Sequence, residues 1–126
     1  MKRANASGAE FNTFCIVCHG PRAEGNGSIV GPGLFPAPPS LHSEAARGFK
    51  DGRIFHVITR GQNKMPSYAG DLTPEERWSV VHYVRALQKA LQMQEETTKL
   101  GRILELLCGQ ASPKHLLPSP DNLVEC

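Results

Sequence analysis

The chain has 126 residues, enough for about one domain and a modest core. Its 14 basic and 12 acidic residues leave a net charge of +2, which gives no electrostatic reason to expect a nucleic-acid partner. Hydrophobic residues make up 40% of it, yet no run of about 18 consecutive apolar residues is present to span a membrane.

Residues 1–14, MKRANASGAEFNTF, start basic but lack the apolar stretch of a secretory signal. A signal already removed, a reading frame that begins late, or an anchor upstream of Met1 would each give such a start. Residues 1–6 are expected to be disordered, residues 7–91 to form the folded domain, and residues 92–126 a tail.

A first helix is expected from Ser7 into the run Cys15-Ile-Val-Cys18-His19-Gly20. Glu10 stands three after Ser7, the spacing of a capping box. Phe11, Phe14, Cys15 and Cys18 recur at helical intervals. The run contains C-x-x-C-H, the attachment signature of c-type haem. Two thiols add across the two vinyl groups of a haem, and one helical turn between them sets both sulfurs toward a single porphyrin edge. The next residue presents its imidazole to the iron. Cys15 and Cys18 therefore read as thioether anchors and His19 as an axial ligand. Covalent attachment normally takes place outside the cytoplasm, so a periplasmic location, or the periplasmic face of a membrane, is expected. The same cysteines would also suit half of a zinc site or a redox pair. Zinc wants four ligands, and Cys108 and Cys126 do not form a second close pair. A thioredoxin-like pair expects a βαβ context, and no alternating or β-branched run precedes Cys15.

Residues 20–40, ending GPGLFPAPPS, are rich in Gly and Pro and lack periodicity. Such a loop is floppy alone and becomes a wall when wrapped round a cofactor. A second helix is expected over Asp51 to Arg60, with Asp51 as N-cap, Ile54, Phe55 and Ile58 as an apolar stripe, and Gly61 as the stop. A polar turn, Gln62-Asn63-Lys64, leads to Met65-Pro66. The last helix has the clearest start: Thr73 as N-cap, Pro74 at the first helical position, and Glu76 completing a capping box. Val80, Val84 and Leu87 lie along one side, with Trp78, Val81 and Tyr83 beside them. After Leu91, the polar run QEETTK interrupts the pattern. Leu100, Ile103, Leu104 and Leu107 then form a short amphipathic stretch that reads as part of a tail or as a partner-binding helix. Cys108 and Cys126 would be able to pair in an oxidising compartment. No β-strand is required, and the fold class is all-α.

One axial position remains for Met65. Pro66 stiffens the backbone beside it, so its thioether can be aimed. Met1 is terminal and Met93 falls in a polar stretch. Core filling is the ordinary use of methionine, and His42, His56, His82, His115 and Lys64 are rival ligands, with His42 the best placed. Met/His ligation raises the iron potential. With both axial positions filled, the iron passes electrons and does not bind substrates easily.

These residues together resemble the class I cytochromes c. The matching pieces are Phe11 four before Cys15, CIVCHG, GPGL at 31–34, MP at 65–66, and a last helix carrying Tyr83. The resemblance implies a class I cytochrome c fold around one covalent haem c. Its first and last helices would cross with Phe11 and Tyr83 at the contact. The family usually has glycine eight before the first cysteine; Ser7 stands there and Gly8 follows, which implies a slightly looser crossing. The Pro32 carbonyl would accept a bond from the ring of His19 and tune it as a ligand.

The stretches PAPPSL, DGRIFHVITRGQNKMPSYA and LTPEERWSVVHYVRALQ are similar to the mono-haem cytochrome c subunit of alternative complex III, a bacterial membrane assembly that oxidises quinol. That likeness covers about residues 8–89. It implies an electron-transfer role rather than an enzyme of its own. Its partners would be a multi-haem cytochrome, an iron–sulfur protein, and a downstream cytochrome c or oxidase. Membrane association would come only through partners or an N-terminal anchor not present here. Arg53, Arg60 and Lys64 would dock partners, neutralise haem propionates, or serve as solvated charge. A freely diffusing carrier and a haem sensor or enzyme with an open sixth position are the other functional readings.

Overall fold

The computed structural model describes residues 8–109. The expected disordered segment over 1–6, the Ser7 cap, His115 and Cys126 lie outside the described residues. Helical structure begins at Ala9 and passes through a π-helical turn, Phe11–Cys15, into α1, Ile16–His19. The Ile16 N–H reaches back to the Phe11 carbonyl, the wide i→i+5 bond of such a turn. Three further helices follow: α2, Glu44–Gly48; α3, Asp51–Arg60; and α4, Pro74–Leu107. Among the described residues there are no strands, only two isolated bridges, Val30 with Phe35 and Gln62 with Met65. The all-α expectation holds.

α4 starts as its sequence requires. The Thr73 N–H donates to Glu76 Oε2 at 2.7 Å, and the Glu76 N–H donates back to Thr73 Oγ1 at 3.3 Å. Its end differs from expectation. The helix runs unbroken through QEETTK to Leu107, so the amphipathic stretch is its last turns and not a separate element. Gln, Glu and Lys are good helix formers. Thr97 and Thr98 donate their hydroxyls to the Met93 and Gln94 carbonyls, so neither competes for a turn. The chain divides into two compact units at Leu91/Gln92. In the second unit Met93, Leu100, Ile103, Leu104, Leu106 and Leu107 are exposed.

α3 has the expected bounds, but Asp51 is its first helical residue and not its cap. Lys50 occupies the N-cap and offers no side-chain bond. The Asp51 carboxylate is instead 2.8 Å from Arg85 Nε.

The core joins Phe11 and Cys15 from the first helical segment with Ile58 of α3, Leu72, and Val80, Val81 and Val84 of α4. Phe11 meets Tyr83 with centroids 5.2 Å apart. The crossing is not loose. Gly8, at φ +59°, lies against the Tyr83 ring so closely that a Cβ there would sit 2.5 Å from Tyr83 Cε2. The glycine one place later than the family's usual position makes the close approach itself.

Candidate functional site

α1 is only one turn long, so its last carbonyls need partners from elsewhere. The following loop supplies them. Gly25 N–H donates to the His19 carbonyl at 2.8 Å, Gly27 N–H to Cys18 at 3.0 Å, and Ile29 N–H to Val17 at 3.2 Å. The Gly/Pro-rich loop is therefore pinned along the C-x-x-C-H turn by the backbone itself. Further on, Leu41 N–H donates to the Ala23 carbonyl at 2.9 Å. His42 Nε2 bonds the Arg22 carbonyl.

Between this loop, the motif turn, α3 and α4 lies a cavity of about 480 Å³. Cys15, His19 and Met65 all line it. Most of the remaining wall is apolar, with Pro38, Pro39, Leu41, Ile54, Val57, Ile58, Val80 and Val84. Gln62, Asn63 and Lys64 add polar groups on the Met65 side. Packing voids in protein interiors are rarely larger than a water molecule, and this cavity falls in the range of roughly 300–1,000 Å³ that suits a sizeable ligand.

The donor set fits a haem. Burial pushes the Cys15 thiol up to about 12, with the nearby charge of Cys18 adding to the effect. Cys18 is half-buried beside it, outside the cavity lining. Burial also lowers the His19 imidazole from its ordinary value. The ring is thus neutral at physiological pH, the state in which histidine ligates a metal. Met65 is held by a reciprocal backbone pair: Gln62 N–H to Met65 O at 3.0 Å and Met65 N–H to Gln62 O at 2.9 Å. Cys15 and Cys18 would hold a haem by thioether bonds, with His19 and Met65 as its axial ligands.

The expected bond from His19 to Pro32 is not made. His19 Nδ1 is buried and has no hydrogen-bond partner among the described residues. Pro32 is exposed in a turn closed on itself by Leu34 N–H to Gly31 O and Gly31 N–H to Phe35 O. His42 does not line the cavity, and His56 and His82 are exposed. Of the three basic candidates, Lys64 reaches the cavity wall, Arg60 is exposed, and Arg53 donates to Gln62 Oε1 at 2.6 Å. Among the described residues no group of three or more His, Cys, Asp or Glu side chains is placed to hold a metal ion. The zinc reading therefore finds no ligand set among the described residues.

Several site residues escape a reading of the sequence alone. Tyr68 donates its hydroxyl to the Phe14 carbonyl at 3.4 Å. Burial raises its phenol, with the charges of Cys15, Cys18 and Asp71 adding to that. Arg77 is only 8% exposed. It donates to Thr59 Oγ1 at 2.6 Å and lies 5.1 Å from the Phe55 centroid, whose other neighbour is a stacked Trp78. Gln88 is 5% exposed and donates to the Leu41 carbonyl at 2.6 Å. Arg85 donates to Gln88 Oε1 at 2.9 Å and to the Phe49 carbonyl. A signal for two of them was present. Arg77 and Gln88 share the helical stripe of Val80, Val81 and Val84, and a polar residue in an apolar stripe wants a buried partner.

Over residues 3–84 the chain matches the family described as cytochrome c oxidase, cbb3-type, subunit III. It is 34% identical over 83 residues to cytochrome c6 from Parathermosynechococcus lividus, an alignment that covers 63% of this chain and 85% of the relative. Cytochrome c6 from Synechococcus elongatus gives the same figures. A match over more than half of the chain, on helices that enclose a cavity bearing Cys15 and His19, places the chain in the cytochrome c family, as a class I domain whose cofactor is one covalently bound haem c.

Proposed function

We propose that this domain transfers single electrons with His19 and Met65 as axial ligands, as a subunit of a quinol-oxidising respiratory complex on the periplasmic face of a membrane. The observation that carries the ligand assignment is the convergence of Cys15, His19 and Met65 on one apolar cavity. When bound, haem supplies one-electron cycling between ferric and ferrous iron. The chain supplies ligation, orientation and dryness. Met65 offers a soft thioether that favours the ferrous state and raises the potential. Val80, Val84, Ile58 and the prolines keep water from the wall.

The direct test is the visible spectrum of protein matured by a cytochrome c assembly system. Met65→Ala is expected to keep covalent haem, lose the weak methionine–iron charge-transfer band, and fall in reduction potential. An unchanged spectrum would refute Met65 as ligand. Carbon monoxide should bind the ferrous wild type poorly; ready binding would favour a sensor or enzyme with an open sixth position.

The place in a membrane assembly draws support from the match to an oxidase-subunit family and from the likeness of residues 8–89 to the alternative complex III subunit. No helix among the described residues is long and apolar enough to cross a membrane. Co-purification with a multi-haem cytochrome and an iron–sulfur protein from native membranes is the expected result. A second reading, a freely diffusing carrier, is favoured by the alignment over 85% of the cytochrome c6 chain. Recovery solely as a free monomer would establish that reading instead.

A further inference from the structure

We infer that Arg53 is a positioning residue for the Met65 thioether, an inference that rests on Met65 being the sixth ligand. Met65 sits in a tight turn that leaves α3 at Gly61. Gly61 adopts φ +74°, and a Cβ there would stand 2.6 Å from the Met65 carbonyl oxygen and 2.9 Å from Pro66 C. Asn63, at φ +54°, takes the left-handed conformation a second time within the same turn. Glycine and asparagine are the residues that adopt this conformation most readily, so the turn is locally allowed and what its surroundings must fix is its aim toward the cavity.

The surroundings act through Gln62. Its backbone makes both bonds to Met65, and its side-chain oxygen accepts from Arg53 Nη2 at 2.6 Å. Arg53 belongs to the first turn of α3, the helix whose far end launches this turn. The Arg53 guanidinium also lies 5.7 Å from the centroid of Phe49, which lines the cavity. One side chain thus links the start of α3, a wall residue and the residue paired with Met65. A guanidinium suits this task because it is always charged and can bond in its plane while stacking on an aromatic face. Gln62 cannot tilt without breaking either its bond to Arg53 or its pair with Met65. Arg53 therefore resists rotation of the Met65 turn away from the cavity.

Release of the methionine is a local opening that need not unfold the domain. It is read by the rate at which carbon monoxide enters the ferrous holoprotein, since the gas binds only after the thioether leaves. In Arg53→Ala we expect covalent haem, helix content and the global unfolding midpoint close to wild type, with carbon monoxide entering roughly fivefold to tenfold faster. The methionine–iron charge-transfer band should also vanish at a lower urea concentration. Gln62→Leu should reproduce both effects, and the double variant should be no worse than either single one. Arg53→Lys should restore part of the loss. Wild-type gas-binding rates in Arg53→Ala, or additive effects in the double variant, would overturn the role of Arg53. A wild-type protein with covalent haem but no charge-transfer band would instead overturn Met65 as ligand, and the two failures are separable in one set of spectra.

Discussion

Gly8 is the position where a single methyl group tests the crossing of the first helix and α4 most directly. In Gly8→Ala the new residue must hold φ +59°, which for an L-residue in the left-handed region costs about 1–2 kcal/mol. The methyl would also stand 2.5, 2.7 and 3.1 Å from three atoms of the Tyr83 ring. The ring has little room to yield, because Phe11 lies against it at 5.2 Å and is itself 1% exposed. Forcing extra volume into such a contact costs about 1–3 kcal/mol. The two terms sum to about 2–5 kcal/mol, and on the scale for domains of this size the melting temperature should fall by on the order of 10–30 °C.

The assay is thermal unfolding of the matured holoprotein followed by far-ultraviolet circular dichroism. Gly8→Ala/Tyr83→Leu separates the two terms, since shortening the ring removes the clash and leaves the backbone cost. The double variant should therefore be less damaged than the sum of the single ones, the non-additivity expected of groups in contact. A melting temperature for Gly8→Ala within about 3 °C of wild type, less than one kcal/mol on the same scale, would refute the close crossing of the first helix and α4.

Gln88→Leu strips the partner from the Leu41 carbonyl and from one Arg85 donor, and denaturant unfolding should show a loss of about 1–3 kcal/mol; the exposed neighbour Lys89→Leu should change little. Glu76 accepts from the Thr73 N–H, and that bond with the Thr73 hydroxyl holds its carboxyl below the usual glutamate range. The unfolded chain then binds the proton more tightly than the folded one, so stability present at neutral pH is lost as pH falls through the usual glutamate value toward the lower folded one. Glu76→Gln should flatten that part of the stability–pH curve, measured as urea midpoints between neutral pH and about pH 3; an identical slope in the variant would discount the capping carboxylate. His19→Ala should yield no stable haem protein, judged by haem staining and circular dichroism, and a well-folded haem-free variant would show that the cofactor is not needed as core.

What was legible in the sequence is what local chemistry decides. Thr73, Pro74 and Glu76 announce the start of α4 because capping needs only residues three apart. Asp51 to Arg60 read as a helix because Ile54, Phe55 and Ile58 fall on one apolar stripe ahead of Gly61. The C-x-x-C-H turn stood out because its spacing is specific to one chemistry, and Met65, marked by the proline that follows it, does line the cavity. Distant partners were not visible. Asp51 resembles a cap, yet its carboxylate goes to Arg85 in another helix. The α2 turn, capped by Ser43 through the Ala46 N–H, was too short to show periodicity. The QEETTK run looked like a break because it is polar, but polarity without Gly or Pro does not stop a helix. The direction of the Pro32 carbonyl depends on how its turn closes, and residue identity does not reveal that.

Three polar side chains, Gln88, Arg85 and Arg53, share one task around the cavity wall. Leu41, Ala45, Ala46 and Phe49 reach the cavity from a segment with only one short helix, and Met65 from a turn. Segments of this kind lack a long helical ladder to fix them, and a domain hollowed by a large cavity has fewer apolar contacts to offer in its place. Directional bonds take over that task. Gln88 holds the Leu41 carbonyl, Arg85 holds the Arg47 and Phe49 carbonyls, and Arg53 holds Gln62. Each of these residues stands on a regular helix, and each reaches out to an irregular piece of wall. The rigid elements thus impose their order on the loops through long polar side chains. A wall fixed in this way would hold its shape around a flat cofactor.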